Sequence, residues 1–124
     1  ATTPGSYAAR NAALLEARSE VLFFTDSDCQ PDSRWIETGL TAIRRLGPHG
    51  RVAGGVELFP RGAIWTAPEL YDRVHLLRQA DYVDLGWCVT ANLVVWKSAF
   101  DLVGPFSEDR FSGGDGEWNL RATA

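Results

Sequence analysis

The sequence predicts an α/β domain built on a mostly parallel sheet flanked by helices. Three observations carry this. Segments with helical spacing alternate with short apolar runs along the whole chain. The run Val21-Leu22-Phe23-Phe24 has strand length and strand composition, and four successive apolar residues suit a strand buried on both faces. A second β-rich stretch, Leu93-Val94-Val95-Trp96, follows much later. With 124 residues, the chain suits one domain, spanning 1–124.

The elements follow in order. Thr3 and Pro4 read as the N-cap and first position of a helix. It continues to about Arg18, with Ala8, Ala12 and Leu15 in helical spacing. A strand covers 20–25, and a loop holds Asp26 to Asp32. Pro31 opens a helix that runs to Leu46 with the stripe Trp35, Ile36, Leu40, Ile43. Gly47-Pro48-His49-Gly50 breaks it. Residues 52–59 read as a strand in which Gly54-Gly55 marks a bulge or a close backbone approach. Residues 68–80 read as one helix, and the β-rich stretch of 85–96 also includes Cys88-Val89-Thr90. A short helix at Ser98–Val103 stops at Gly104-Pro105, and a Gly-rich turn leads into a last helix from Asp115.

Composition narrows the function. Twelve Lys and Arg against sixteen Asp and Glu give a net charge of −4, which offers no electrostatic basis for binding nucleic acid. An acidic chain that handles anions needs a metal or local Arg to do so. No apolar run approaches a bilayer span, and the first residues show no signal-peptide pattern. Cys29 and Cys88 lack metal-ligand spacing and read as reduced thiols of a cytoplasmic protein. The absence of Met predicts that residue 1 is not the natural start.

Asp26 and Asp28 are the first candidate site. In an extended chain, i and i+2 share a face, so both carboxylates stand at the carboxyl end of the strand. Open α/β sheets bind ligands there. Two carboxylates so close repel unless a cation, often divalent, lies between them. The plainer alternative is a turn that uses Asp and Ser for their turn propensity.

The last helix offers a second site. Asp115 and Glu117 lie at its opening, where a carboxylate is stabilised by free N–H groups, and Glu117 can pair with Arg121 at i, i+4. That reads either as a cap with a surface ion pair or as a base held at a helix mouth. A helix opening favours the charged carboxylate, so a base there needs compensating burial.

Several motifs together resemble family 2 glycosyltransferases, which have the GT-A fold. They are Ala8-Ala9-Arg10-Asn11 with its Ala-rich helix, Val21-Leu22-Phe23-Phe24-Thr25-Asp26-Ser27-Asp28, Thr90-Ala91-Asn92-Leu93-Val94-Val95-Trp96-Lys97, Phe100-Asp101-Leu102-Val103-Gly104-Pro105-Phe106, and Gly113-Gly114-Asp115-Gly116-Glu117-Trp118. Each is weak alone; their order and separations make the resemblance. It implies transfer of a sugar from a nucleotide-diphosphate donor to a carbohydrate, lipid or other hydroxyl acceptor, with inversion, using Mn²⁺ or Mg²⁺. Asp26-Ser27-Asp28 looks like the Asp-x-Asp motif. Asp28 would then be the direct metal ligand, and Asp26 would face the ribose or the metal's water shell. Arg10 would meet the diphosphate, where a guanidinium suits phosphate oxygens. Asp115 would be the general base, and Arg121 would position the diphosphate or the last helix. Trp118 would line the acceptor site or sit in the core.

The chain departs from the family in three places. Gly114 stands where the family has Glu, and Gly104-Pro105 where it has two glycines. The family's first nucleotide-binding strand precedes anything in this sequence, so the expectation is a piece of a longer catalytic domain. Any membrane association, at the cytoplasmic face, would come from parts outside it. Two other readings stay open: a metal- and nucleotide-binding module without catalysis, and a nucleotidyltransferase. His75 reads as a core or surface residue rather than a ligand, and carboxylates beside Cys29 argue against a nucleophile there.

Overall fold

A computed structural model describes residues 4–124. The elements are α1 (Ser6–Glu16), β1 (Val21–Thr25), α2 (Trp35–Leu46), β2 (Arg51–Ala53), α3 (Ala67–His75), α4 (Gln79–Asp84), β3 (Asn92–Trp96), α5 (Ser98–Val103) and α6 (Gly114–Arg121). The cap predicted at Thr3 lies outside the described residues. The helix that follows opens instead from Gly5, at φ 138°, whose carbonyl accepts the Ala9 N–H.

The three strands form one sheet in the order β1-β3-β2. β3 runs antiparallel to both neighbours, with Phe23 opposite Val94 and Val52 opposite the same residue on the far side. The expectation of a mostly parallel sheet is therefore corrected for the described residues. β1 and β2 do run the same way, but β3 lies between them and returns against both. The strand buried on both faces is β3, where Leu93, Val94 and Val95 are almost fully enclosed. β1, an edge strand of this sheet, is only half-buried. An apolar run reports burial but not which strand neighbours which.

Helices cover both faces. On one face Tyr7, Val95, Phe106 and Trp118 form a core cluster, with Leu22, Phe24 and Phe100 packed against it. Phe100 stacks on Trp118 at 4.5 Å between centroids, and Phe24 meets Phe106 edge-on at 5.6 Å. On the other face α2 lies against Phe23 and Val94. Gly39 permits this approach, because a Cβ there would collide with the Phe23 ring. Phe23 also meets Trp35 edge-on at 5.2 Å, and Ile43 is fully enclosed.

Four predicted elements change. Pro31 does not open α2, which begins at Trp35 after a turn closed by Trp35 N–H on the Asp32 carbonyl. β2 ends at Ala53, not at residue 59: Gly54 N–H donates the last ladder bond to the Asn92 carbonyl, and the Asn92 side chain fills the space a Cβ would need. Gly54 is thus the close approach rather than a bulge. The helix expected over 68–80 is two helices, α3 and α4. The break holds Leu77 at φ 54°, a left-handed conformation that costs a non-glycine residue energy. Buried Gln79 holds α4 down by donating to the Val89 and Asn92 carbonyls and accepting from Val89 N–H. Cys88-Val89-Thr90 is loop, not strand. No helix among the described residues is long and apolar enough to cross a membrane.

Candidate functional site

The acid motif follows β1 directly. Val21 to Thr25 pair along the whole length of β3, and the ladder stops at Thr25–Asn92. The chain then turns, with Cys29 N–H donating to the Asp26 carbonyl. Asp26 and Asp28 are therefore gathered by a turn and not by an extended strand. The result is nonetheless close: a ligand atom from each of Asp26, Asp28 and Cys29 lies within 4.8 Å of the others. Asp28 is exposed, while Asp26 and Cys29 are half-buried.

This turn forms one wall of an open cleft of about 1470 Å³. Trp35, Asn92, Glu57, Phe59, Trp65 and Glu69 also line it. Trp35 Nε1–H donates to Asn92 Oδ1, and Asn92 Nδ2–H to the Gly55 carbonyl, so one side chain ties β3 to the cleft lining. A capping box fixes the start of α3 in that lining: Glu69 N–H meets Thr66 Oγ1, and the Glu69 carboxylate takes Thr66 N–H.

Arg10 comes to the motif from α1. Its Nη2 lies 2.7 Å from Asp26 Oδ1, and its guanidinium lies over the Tyr7 ring, 5.4 Å from the centroid. Asp28 has no such partner among the described residues. The donor set fits a hard divalent cation, which takes carboxylate oxygens; the thiol is a softer neighbour. Among the described residues nothing bonds either Asp28 oxygen, and Asp26 is bonded only at Oδ1.

Asp115 lies in the first turn of α6, half-buried, beside two enclosed residues, Tyr7 and Thr90. Its Oδ1 accepts from Tyr7 Oη–H at 3.2 Å and from Gly116 N–H at 3.0 Å, and its Oδ2 accepts from Thr90 N–H at 3.2 Å. Asp115 does not line the acid cleft. It bonds Thr90, the neighbour of the cleft residue Ala91, and is linked to Arg10 through Tyr7.

Arg121 lies elsewhere. Its Nη1 donates to the Val103 carbonyl, its Nη2 to the Pro105 carbonyl, and Glu117 takes Nε at 2.5 Å. These contacts anchor α6 to the end of α5. Arg121 is not among the residues lining the acid cleft. Trp118 is fully enclosed, with Nε1–H on the Gly104 carbonyl, so it is core rather than acceptor wall. His75 packs on Tyr71 at 4.3 Å between centroids, outside the acid group.

Burial pushes the Cys88 thiol up to about 11, with the Asp115 charge adding to the effect. Tyr7 is raised as well, first by burial and then by the Asp115 charge. Sequence reasoning missed Tyr7, Trp35 and Asn92. Tyr7 and Asp115 are 108 positions apart, and no local spacing signals such a contact.

The pattern of the family described as Glycosyl transferase family 2 matches residues 2–103. The chain is 37% identical over 121 residues to Glycosyltransferase AglE of Haloferax volcanii, an alignment that takes in 96% of this chain and 39% of that protein. The chain thus spans well under half the length of this curated relative. No solved structure matches it.

Proposed function

This chain belongs to glycosyl transferase family 2, and from that membership we propose that the protein containing it moves a sugar from a nucleotide-diphosphate donor to an acceptor hydroxyl, with inversion, on a GT-A fold. Residues 1–124 are then a single glycosyltransferase-like domain, the central to C-terminal part of the catalytic domain. The observation that carries the reading is the acid turn at the end of β1, with Asp26 and Asp28 drawn together on the wall of a large cleft and Arg10 beside them.

The donor's diphosphate is assigned to that wall. Arg10 supplies a guanidinium for its phosphate oxygens and, through its ion pair, holds Asp26 in place. Asp28 and Asp26 would hold Mn²⁺ or Mg²⁺, which when bound neutralises the departing diphosphate. Asp115 takes the proton from the acceptor hydroxyl. The acceptor oxygen forms its bond to the anomeric carbon on one face as the bond to the diphosphate breaks on the other. The leaving oxygen keeps the electron pair, and the configuration inverts.

Titration calorimetry of UDP and GDP into the full-length protein, with and without Mn²⁺, tests the donor site. Metal-dependent binding of one nucleotide, lost in Asp28→Asn, is the expected result. Absence of binding to either nucleotide overturns the reading. A binding module without catalysis is the second reading, favoured by Gly114 in place of an acid and by the three donors already on Asp115. Metal-dependent binding with no release of sugar from any donor would establish it.

A further inference from the structure

We infer that Tyr7 and Gly114 are a matched pair that positions Asp115, so that Oδ2 is the oxygen left with a lone pair open to take a proton. The inference rests on the reading of Asp115 as the base and adds the residues that aim it.

Gly114 precedes Asp115 and is buried at the start of α6. A Cβ on it would lie 2.8 Å from Tyr7 Cε2, 2.9 Å from Cζ and 3.0 Å from Cδ2. These are closer than carbon atoms approach one another without something moving. The ring is itself enclosed at 6% exposure and packs against Phe106, 5.8 Å between centroids, so it has no room to retreat. Any side chain at 114, including the Glu that the resemblance leads one to expect, would displace the ring. The glycine is thus the counterpart of the tyrosine.

The ring's position delivers its hydroxyl. Tyr7 Oη accepts from Gly114 N–H at 2.9 Å, which leaves its own hydrogen to donate. An ionised carboxylate only accepts, so that hydrogen goes to Asp115 Oδ1. Oδ1 also takes Gly116 N–H, which fills both of its lone pairs. Oδ2 takes only Thr90 N–H and keeps one lone pair open. Two backbone donors and one phenol therefore set the rotation of the carboxylate. Of the three, the phenol is the only one a substitution can remove without disturbing the chain. Arg10, over the face of the same ring and paired with Asp26, places this arrangement next to the acid turn.

Tyr7 is thus a positioning residue, and the test separates aiming from folding. The full-length protein is assayed with UDP-glucose and GDP-mannose as probes, reading released nucleotide diphosphate, and UDP and GDP binding with Mn²⁺ is measured in parallel. Tyr7→Phe keeps the ring and removes the hydroxyl. It is expected to lower kcat about ten- to a hundredfold, with donor KM and nucleotide affinity within about twofold of the parent. Gly114→Ala is expected to lower kcat in the parent, but to change it less than about twofold in a Tyr7→Ala background, where the obstructing ring is gone. Equal loss of kcat and of nucleotide binding in Tyr7→Phe would mean a structural role and overturn the inference. So would a Gly114→Ala effect of the same size in both backgrounds. Asp115→Asn tells the two claims apart. If it turns over normally, the base reading fails and the pair's role with it. If it is inactive while Tyr7→Phe is normal, the positioning claim alone fails.

Discussion

Arg10 Nη2 lies 2.7 Å from Asp26 Oδ1, joining the second turn of α1 to the end of β1. Because the pair is partly buried, with the Arg10 side chain 19% exposed and Asp26 40% exposed, breaking it costs more than breaking a pair on the open surface. Arg10→Lys should not restore it, since an ammonium lacks the planar fork and does not cover the Tyr7 ring in the same way. In calorimetry, Arg10→Ala and Arg10→Lys should both weaken nucleotide-diphosphate binding by about tenfold, while a nucleoside without phosphates is unaffected. Unchanged diphosphate affinity in both variants removes Arg10 from the donor site.

Asp28 is exposed and has no side-chain partner among the described residues, so its removal should be cheap for the fold and costly for the metal. Asp28→Asn should change stability by less than about 0.5 kcal/mol. Mn²⁺ should no longer strengthen nucleotide binding. Asp26→Asn should weaken binding as well and also loosen α1, because Arg10 loses its counter-ion. A Mn²⁺ effect that survives both substitutions places the metal elsewhere.

The two thiols report on different parts of the molecule. Cys29 is half-buried within the acid turn, and Cys88 is enclosed at 4% exposure and bonded to Asn119. An aromatic disulfide reagent at neutral pH should label Cys29 first and Cys88 only on unfolding. Since the Cys29 sulfur shares its surroundings with both carboxylates, Mn²⁺ should slow its labelling. A labelling rate indifferent to Mn²⁺ argues against a cation in that turn, independently of any activity.

Cys88 also governs alkaline stability. Its thiol is raised from 9.0 to about 11 by burial, so folding favours the protonated form. Below pH 9 the folded and unfolded chains both keep the proton, and nothing changes. Between pH 9 and about 11 the unfolded chain releases it while the folded chain does not. Stability should therefore fall across that window by about 2–3 kcal/mol. Tyr7, raised by burial and by Asp115, adds to the loss above pH 10. Urea denaturation at stepped pH should show the decline, and Cys88→Ala should make it shallower. An equal decline in that variant assigns it to other groups.

Asn11 is the polar clasp of the core. Its side chain is 9% exposed, donates to the Phe106 carbonyl at 2.9 Å and accepts Phe106 N–H at 3.0 Å. Asn11→Ala leaves two buried backbone groups without partners and should cost about 2–4 kcal/mol in denaturation. Asn11→Asp restores only the acceptor and should lose nearly as much. A loss under about 0.5 kcal/mol for Asn11→Ala would show that water replaces the clasp.

Much of this was legible in local chemistry. Helical spacing located α1, α2, α5 and α6, because burial of one helical stripe imposes its period on the residues themselves. Glycine and proline marked the ends at Gly47 and Gly104, where φ is 78° and 87°. The two acid candidates, Asp26 with Asp28 and Asp115, stood out because carboxylates at a strand end and a helix opening are chemically conspicuous. Strand direction was not legible. Whether β3 returns between β1 and β2 depends on which edges meet, and an apolar run carries no such information. The end of β2 was hidden as well, since the Asn92 side chain ends the ladder from 38 positions away in sequence.

The residue types and their order were enough to point to the family to which the chain belongs: an acid pair after a strand, an Arg upstream, an Asp at a late helix. Those are properties of single side chains and near neighbours. What the fold added is the wiring among them. It turned the Asp26–Asp28 segment into a tight group, paired Arg10 with Asp26, gave Arg121 to the Val103 and Pro105 carbonyls and sank Trp118 into the core. It also set the Tyr7 ring against Gly114, which makes a departure from the expected motif a steric requirement. The Tyr7 contacts join residues 107 and 108 positions apart, and only packing, which is short-ranged in space and blind to sequence distance, brings them together.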